Sequence, residues 1–231
     1  MDSLTAAFKK IAYAGVMIPV VLLLLIDIGI SADSDWTYLF IRDGIEVYRK
    51  TFPGTPVCAF KGVGVVDAEM SVVRSVLQDI PAYPQWMARC KESKILKAVD
   101  ADTRIFYGVV DTPLPFKDRD MILRNTIVED PDKGVAEIIF NLSDQGIVPP
   151  RKKYFRVTNL SGKYILETVD CTKTRVTFVY QGDPGGNIPV TIANWLESQY
   201  YPHTIIMGLR KMVKQEKYLS SAHTDKNLNR N

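Results

Sequence analysis

The sequence has few of the residues that build metal, nucleophile or disulfide sites. Its 231 residues include only two histidines, His203 and His223, so a site with several histidine ligands is excluded. The three cysteines, Cys58, Cys90 and Cys171, form no CxxC pair and are too few for a disulfide framework. We expect them to be buried free thiols that behave as small hydrophobic residues.

Several sequence motifs of common enzyme and nucleotide-binding classes are also missing. No GxSxG, Walker A or dinucleotide fingerprint occurs, and Gly62-Val63-Gly64 lacks the third glycine and the following helix. We therefore predict no cofactor and no metal. The net charge of +3, from 29 basic and 26 acidic residues, is too small for the concentrated basic face that nucleic acid requires.

What the chain does have is the composition of a folded globular protein. It is 46% hydrophobic, 24% charged and 10% aromatic, and its length suits one large domain or two small ones. No internal repeat or linker interrupts residues 45–217. The polar residues 218–231 are expected to form a frayed tail.

An uncharged apolar run at residues 11–26 follows Lys9 and Lys10. A basic segment before an apolar run is typical of a secretory signal, and residues 1–31 would then be cleaved after Ser31. The alternative is an uncleaved anchor over residues 11–30, close to the roughly 20 residues that a membrane span requires. Both interpretations predict that the rest of the chain is exported, in the periplasm or secreted, because positive charge stays inside.

Alternating apolar and polar residues predict an antiparallel sheet after a short helix or lead-in at residues 33–43. Short gaps with turn residues separate the segments, so neighbouring strands are expected to pair as hairpins. The predicted strands are 45–50, 57–66, 104–111, 118–128, 135–142, 163–169 and 174–182, with weaker candidates at 91–99 and 154–157.

Two amphipathic helices are predicted beside this sheet. The first covers residues 68–80, with Asp67 as its N-cap and Pro81 as its stop. The second covers residues 188–217, and Pro202 should kink or break it near the middle. A curved sheet can wrap around the second helix, and a cavity between them is then physically possible.

Charged residues indicate which side of each strand faces inward, because charges normally face water. If Arg104, Glu137 and Arg175 face outward, three sets of apolar and aromatic residues face inward. These sets line either an ordinary packed core or a pocket for an apolar ligand. These inward sets are Ile105, Tyr107 and Val109; Ile138, Phe140 and Leu142; and Val176, Phe178 and Tyr180.

Four stretches together resemble START lipid-transfer domains. The sequence FKGVGVVDAEMSVVRSVLQDIPAYPQWMARCKESKIL at 60–96 is similar to their second strand, first helix and following loop. KDRDMILR at 117–124 resembles their Arg-Asp strand. VPPRKKYFRV at 148–157 and DPGGNIPVTIANWL at 183–196 are similar to their Pro-rich loop and to the entry of their last helix.

The resemblance implies an α+β helix-grip fold over residues 33–217. In that fold a curved antiparallel sheet surrounds a long C-terminal α-helix and encloses an internal hydrophobic tunnel. It also implies a lipid ligand, such as a phospholipid or sterol, and a lid formed by the last helix with nearby loops. The matching positions are Gly185-Gly186 and the loop at 143–153.

Strand parity places Arg119, Met121, Leu123 and Asn125 toward this tunnel. Sterol-binding members often carry a buried acid–arginine pair, and Asn125 stands where that arginine would be expected, which weakens a specific sterol assignment. Arg119, Asn125 and Tyr107 remain as polar contacts. The complete predicted ligand-binding set is Tyr107, Arg119, Met121, Leu123, Asn125, Ile138, Phe140, Phe178, Tyr180 and Trp195.

These observations favour noncatalytic binding or intermembrane transfer of a lipid. One alternative is a polyketide cyclase or aromatase-like enzyme on the same fold, with Tyr107, Arg119 or Tyr180 as weak acid–base groups. A ligand-sensing or scaffold module is the other. We expect a monomer that contacts the membrane surface through the end of its last helix, where the basic residues are Arg210, Lys211, Lys214 and Lys217.

Overall fold

The computed structural model describes residues 35–219, except for the side chains of residues 195–199. The predicted signal or anchor segment and the tail from residue 220 onward lie outside the described residues. Export, and the choice between cleavage and anchoring, therefore stay predictions. Within residues 35–219, no helix is both long enough and apolar enough to cross a membrane.

Ten strands in the described part of the chain form one sheet with the order β1-β2-β3-β10-β9-β7-β6-β5-β4. All neighbours on this path pair antiparallel, whereas β8 lies off the path and pairs with β6 in parallel. The bounds are β1 Thr37–Arg42, β2 Ile45–Phe52, β3 Thr55–Val66, β4 Cys90–Ala98, β5 Thr103–Val110, β6 Asp118–Asp130, β7 Val135–Leu142, β8 Tyr154–Arg156, β9 Asn159–Asp170 and β10 Lys173–Asp183.

All predicted strands are confirmed, but the helix or lead-in expected at 33–43 is wrong. This segment forms β1, which pairs antiparallel with β2. Asp43 and Gly44 join the two strands with φ values of 51° and 66°. An Asp-Gly pair with positive φ at both positions is the favoured two-residue hairpin turn, so the turn chemistry explains the strand.

The first helix, α1 (Met70–Gln78), is shorter than the predicted 68–80. The N-cap is Glu69 and not Asp67, and no side chain caps the first turn. Pro81 does not end the helical region, because Ile80–Gln85 form a 3₁₀ helix that has this proline in its first turn.

The second helix, α2 (Val190–Met212), continues through Pro202, so the predicted break is wrong. Pro202 is buried against β3. A Cβ atom at Gly62 would lie only 2.9 Å from the Cβ of Pro202, so the glycine provides the space for this contact. Tertiary packing thus holds the helix at a residue that would interrupt it in isolation.

The main core lies between α2 and the inner face of the sheet, and a smaller core lies on the outer face of β5 and β6. The smaller core contains Ile105, Tyr107, Val109 and Ile122, covered by Val148 and Tyr154. The inward direction predicted for the three β5 residues is therefore wrong. The prediction treated Arg104 as outward-facing, but Arg104 is at the end of the row of β5 residues that faces inward. Its Nη1 donates there to the Asp100 and Ala101 carbonyls.

His203 contacts the β1–β2 turn, and the three cysteines differ in their burial. His203 Nε2 lies 2.8 Å from Asp43 Oδ2 at the turn between β1 and β2. All three cysteines are free, but only Cys58 is buried; Cys90 is partly buried and Cys171 is exposed. Cys171 escapes burial because it lies in the turn between β9 and β10.

Candidate functional site

A cavity of about 190 Å³ opens between the sheet and α2. An apolar cavity of roughly 150 Å³ is enough to hold a small aromatic molecule, so this volume is sufficient for an apolar group of that size. Its wall is mainly apolar and aromatic. The aromatic residues that line it are Tyr83, Phe106, Phe140, Tyr164, Phe178, Tyr180 and Tyr201.

Stacked rings from three neighbouring strands form one side of the cavity. The Phe178 ring centroid lies 4.7 Å from that of Tyr164 and 5.3 Å from that of Tyr180. Phe140 lies opposite Gly162, where a Cβ atom would come within 2.3 Å of the Phe140 ring. Gly162 therefore lets the ring lie flat over β9 and leaves the space above it open.

Seven of the ten predicted ligand-binding residues line the cavity. Ile138 is buried on the same face but borders a separate void of about 10 Å³. Tyr107 is on the opposite face of the sheet, in the smaller core. The Trp195 side chain lies outside the described residues. The seven lining residues are Arg119, Met121, Leu123, Asn125, Phe140, Phe178 and Tyr180.

Sequence reasoning missed many lining residues, among them the aromatic residues Phe106, Tyr83 and Tyr164. Phe106 lines the cavity in place of Tyr107, because the parity of β5 is the reverse of that predicted. Tyr83 reaches it from the 3₁₀ helix, whose position the sequence does not indicate. Tyr164 belonged to a predicted strand, and its ring was recognisable as a candidate from the Lys163 charge beside it.

One end of the cavity is charged, and Arg119 at the start of β6 dominates it. The Arg119 Nε donates to Pro184 O at 3.1 Å and its Nη2 donates to Gly185 O at 2.9 Å. Its guanidinium also lies over the Phe155 ring, at 5.6 Å. Desolvation lowers the pKa of this largely buried side chain, and no carboxylate forms an ion pair with it in the described part of the chain.

The loop that enters α2 depends on glycine at two positions. Gly185 and Gly186 have φ values of +59° and +67°, and a Cβ atom at Gly185 would lie 2.4 Å from the Phe155 ring. Only glycine adopts this conformation in so narrow a space without strain. The Phe155 ring thus packs the predicted Gly-Gly gate against β8, and the two Arg119 hydrogen bonds hold the same loop to β6.

The other end of the cavity is polar but uncharged. Tyr83 Oη donates to Leu77 O at 2.6 Å, and Asn125 Nδ2 donates to Tyr83 Oη at 3.4 Å. Asn125 Oδ1 is buried without a partner among the described residues, a condition that costs about 1–3 kcal/mol. Burial raises the pKa of both Tyr83 and Tyr164, so their phenols stay neutral.

The second predicted gate, the loop at 143–153, does not line the cavity. Gln145 accepts a hydrogen bond from Ile122 N at 3.2 Å and donates to Ile122 O at 2.8 Å, on the outer face of β6. Arg156 anchors the same segment through the carbonyls of Gln145 and Val148 and through an ion pair with Asp120. The loop therefore covers the smaller core, and the predicted lid role at 143–153 is wrong.

The three suggested acid–base residues do not meet in one site. Arg119 and Tyr180 line the cavity, whereas Tyr107 donates to Asp120 Oδ2 at 3.1 Å on the outer face. Burial and the neighbouring carboxylate raise the pKa of Tyr107. Of the three suggested acid–base groups, Tyr107 therefore lies away from the cavity, whereas Arg119 and Tyr180 both line it.

The basic residues near the end of α2 also separate into two groups. Arg210 Nε donates to Val65 O at 2.8 Å, and Lys217 Nζ lies 2.9 Å from Asp79 Oδ2. Both side chains therefore have contacts within the protein. Lys211 and Lys214 are exposed.

Comparisons with known proteins agree with this architecture. The START domain family model matches residues 26–220. A STAR-related lipid transfer protein from Xanthomonas axonopodis has a solved structure that is 27% identical, with a TM-score of 0.72 over 78% of this chain and 99% of that chain. Human STARD10 gives a TM-score of 0.73 at 18% identity over 85% of this chain and 80% of that chain, a likeness of fold alone.

Two curated relatives match at a similar level. An uncharacterized protein of Pseudomonas aeruginosa is 27% identical over 190 residues, 81% of this chain and 91% of its own length. The phosphatidylcholine transfer protein of Bos taurus is 25% identical over 182 residues, 78% of this chain and 83% of its own length. The family match, the open sheet that grips α2 and the cavity between them agree, and the chain belongs to the START domain family.

Proposed function

We propose that this protein binds a lipid in the cavity between the sheet and α2 and carries it between membranes without chemical change. The cavity is the observation that supports this function, because its lining is apolar and aromatic over most of its length. Each methylene group kept from water is worth about 0.8 kcal/mol, so a long chain needs such an enclosure to cross an aqueous space. The relatives named as lipid transfer proteins support the same role.

Exchange requires an opening, and we propose that it lies at the loop between β10 and α2. The β10–α2 loop is held to β6 through Arg119, and residues on both sides of this contact line the cavity. Breaking two hydrogen bonds to backbone carbonyls is a local event that leaves the sheet intact. Movement of this loop with the first part of α2 would open the charged end of the cavity.

Native mass spectrometry of the purified full chain tests the binding function directly. We expect a copurified lipid whose mass identifies its class. A dithionite-quenching assay with fluorescent lipid vesicles then tests transfer. Protein that carries no lipid and does not accelerate transfer from any donor vesicle would contradict the proposed function.

A bulky substitution in the cavity connects this activity to the site. Leu123 lines the cavity, so Leu123→Trp should fold and lose most lipid binding and transfer because the indole occupies ligand space. Val128→Trp is the matched control, since Val128 is exposed on the same strand. Normal transfer by a folded Leu123→Trp variant would exclude the cavity as the binding site.

Membrane contact through the end of α2 is part of the same proposal. Lys211 and Lys214 are exposed and can face anionic lipid, whereas Arg210 and Lys217 already bind within the protein. Lys211→Glu/Lys214→Glu should slow transfer to vesicles containing phosphatidylglycerol, and added salt should slow the wild type similarly. Unchanged transfer by this double variant would contradict a role of these lysines.

A further inference from the structure

An aromatic surface with a lysine at its centre lies on the outer face of β1, β2 and β3. Tyr38 of β1 pairs with Tyr48 of β2, and Tyr48 pairs with Lys61 of β3, so these side chains form one row across the strands. Trp36 precedes β1, and its ring lies against Lys61. Ile45 has the opposite parity to Tyr48 on β2 and belongs to the main core, so the row faces away from that core. We call Trp36, Tyr38, Tyr48 and Lys61 the Trp36 surface.

The rings of this surface hold one another in place. Lys61 Nζ lies 4.6 Å from the Trp36 ring centroid and 4.7 Å from that of Tyr48, and both distances are within the range of cation–π attraction. Tyr38 packs edge-on against Tyr48, with 5.7 Å between the ring centroids, and is 52% exposed. The Trp36 surface therefore presents ordered aromatic rings to its surroundings.

The charges around the surface are balanced. Lys50 Nζ lies 3.0 Å from Asp35 Oδ2, and Tyr48 donates to Glu46. Lys50 and Lys61 are thus matched by two carboxylates, and no surplus of charge is present to attract nucleic acid or an acidic protein. Tryptophan and tyrosine rings beside lysine stems are instead typical of the interface between water and a bilayer, where apolar ring bodies and polar edges are both satisfied.

Pairing with a second copy of the chain is the alternative use of this side of the molecule. β1 is an edge strand, and an edge strand can add a further strand to its sheet. The register of β1 shifts between Tyr38 and Phe40, and such an irregularity interrupts the ladder that a long added strand needs. Contact with a bilayer requires no ladder, so the irregular edge favours the bilayer.

The Trp36 surface lies at the same end of the sheet as the loop between β10 and α2. Thr37 in β1 pairs with Arg49 in β2. Arg49 pairs with Phe60 in β3, and Phe60 pairs with Tyr180 in β10. β10 ends three residues after Tyr180, and the loop that enters α2 follows.

The exposed lysines near the end of α2 lie at the opposite end of the sheet. α2 runs beside β3 in the same direction. Cys58 N donates to Asn194 Oδ1 at 3.3 Å near the start of both elements, and Arg210 Nε donates to Val65 O at 2.8 Å near their ends. A membrane contact at the Trp36 surface is therefore separate from one at the end of α2.

The chain reaches the Trp36 surface shortly after the apolar run. The predicted anchor over residues 11–30 ends six residues before Trp36. Six extended residues span at most about 20 Å. A tryptophan at this distance from the end of a membrane span is in the range of the aromatic belt that borders a bilayer.

We propose that the Trp36 surface lies in the headgroup region of the membrane that anchors residues 11–30. The surface then turns the β10–α2 end of the cavity toward the same membrane, so that lipid enters from the bilayer beside the anchor. The contact itself does not require lipid binding; only the entry of lipid rests on the proposed function. Because aromatic rings and not net charge make the contact, neutral lipid is sufficient and salt should not weaken it.

Tryptophan quenching in the full chain tests the contact. The protein is reconstituted into phosphatidylcholine vesicles in which part of the lipid carries a nitroxide on its headgroup. The chain has three tryptophans, so the emission of Trp36 is obtained as the difference between the wild type and Trp36→Phe. We expect the headgroup nitroxide to remove most of this difference, at low and at high salt alike.

A relocated tryptophan is the matched control. Val128 is 53% exposed and lies nine residues beyond Arg119 on β6, about 30 Å along a strand. In Trp36→Phe/Val128→Trp the indole is at the other end of the sheet, and its emission should not be quenched. Unquenched Trp36, or equal quenching at the two positions, would overturn the inference. Purified protein that begins at Ala32 would also overturn it, because no anchor then remains.

Lipid transfer connects the surface to the cavity. Trp36→Ser/Tyr38→Ser should slow the removal of fluorescent phosphatidylcholine from the anchoring vesicle severalfold. The control variant Val128→Ser/Val169→Ser, which removes two exposed valines at the far end of the sheet, should keep the wild-type rate. A wild-type rate in the Trp36→Ser/Tyr38→Ser variant would reject lipid entry at this end. Quenching of Trp36 without any transfer by the wild type would count against the proposed transport and support the membrane contact, whereas transfer without quenching would reject the contact alone.

Discussion

The two faces of strands β5 and β6 are built from alternating residues of the same segments but are packed differently. On the inner face, Met121, Leu123 and Asn125 border a cavity. On the outer face, Tyr107 and Ile122 are fully buried under the 143–157 segment. The inner wall keeps space for a ligand, whereas the outer wall is filled and should respond to volume changes and lost contacts as an ordinary core does.

The ion pair on the outer face should give the largest effect on stability. Asp120 is 1% exposed, and Arg156 donates to both of its carboxylate oxygens, at 3.0 and 2.9 Å. Arg156→Leu leaves this buried carboxylate without its cation and should lower the free energy of unfolding by about 3–5 kcal/mol. Urea denaturation measures the loss.

The control is a more exposed ion pair on neighbouring strands, Lys163 with Glu137, whose atoms are 2.9 Å apart. Lys163→Leu should cost less than about 1 kcal/mol, because solvent screens this pair. Equal losses of unfolding free energy in the two variants would show that the buried Arg156–Asp120 ion pair stabilises the protein no more than an exposed ion pair does.

Adjacent residues on β6 provide the second comparison. Ile122 is fully buried in the outer core, so Ile122→Trp should overpack it and cost about 1–3 kcal/mol. Leu123→Trp places the same indole in the cavity and should cost much less. Thermal unfolding of the two variants, each without added lipid, measures the difference. A larger loss for Leu123→Trp would indicate that the inner face is a filled core.

Two tyrosines provide the third and smallest comparison. Tyr107→Phe removes a hydrogen bond to Asp120 and should cost about 1 kcal/mol, since Arg156 keeps both carboxylate oxygens bonded. Tyr164→Phe removes a hydroxyl without a protein partner in the described chain and should leave stability nearly unchanged. Both are followed by urea denaturation, and a greater loss for Tyr164→Phe would contradict an empty cavity beside its hydroxyl.

The sequence predicted the strands well because their alternation depends on local burial. Residues 135–142 were predicted as a strand and match β7 at both ends. The parity of β10 is also confirmed, since Val176, Phe178 and Tyr180 are buried while Arg175 is exposed.

The same rule failed on β5. Both faces of that strand are covered, one by the core beside the cavity and the other by a segment about 40 residues further along the chain. With no face in water, the charge of Arg104 carried no information about which side was inner. The 3₁₀ helix that delivers Tyr83 has no periodic pattern long enough to place it.

The sequence by itself determined the strand segments, the approximate extent of the two helices, the family resemblance and seven of the residues that line the cavity. These properties are encoded in hydrophobic periodicity and in short motifs, which depend on residues close together in the chain. Tertiary structure alone decided that α2 continues through Pro202, that the 143–153 loop covers the outer face and that Asn125 Oδ1 has no partner among the described residues. Each depends on contacts between residues far apart in the chain, and those contacts exist only once the sheet has closed around α2.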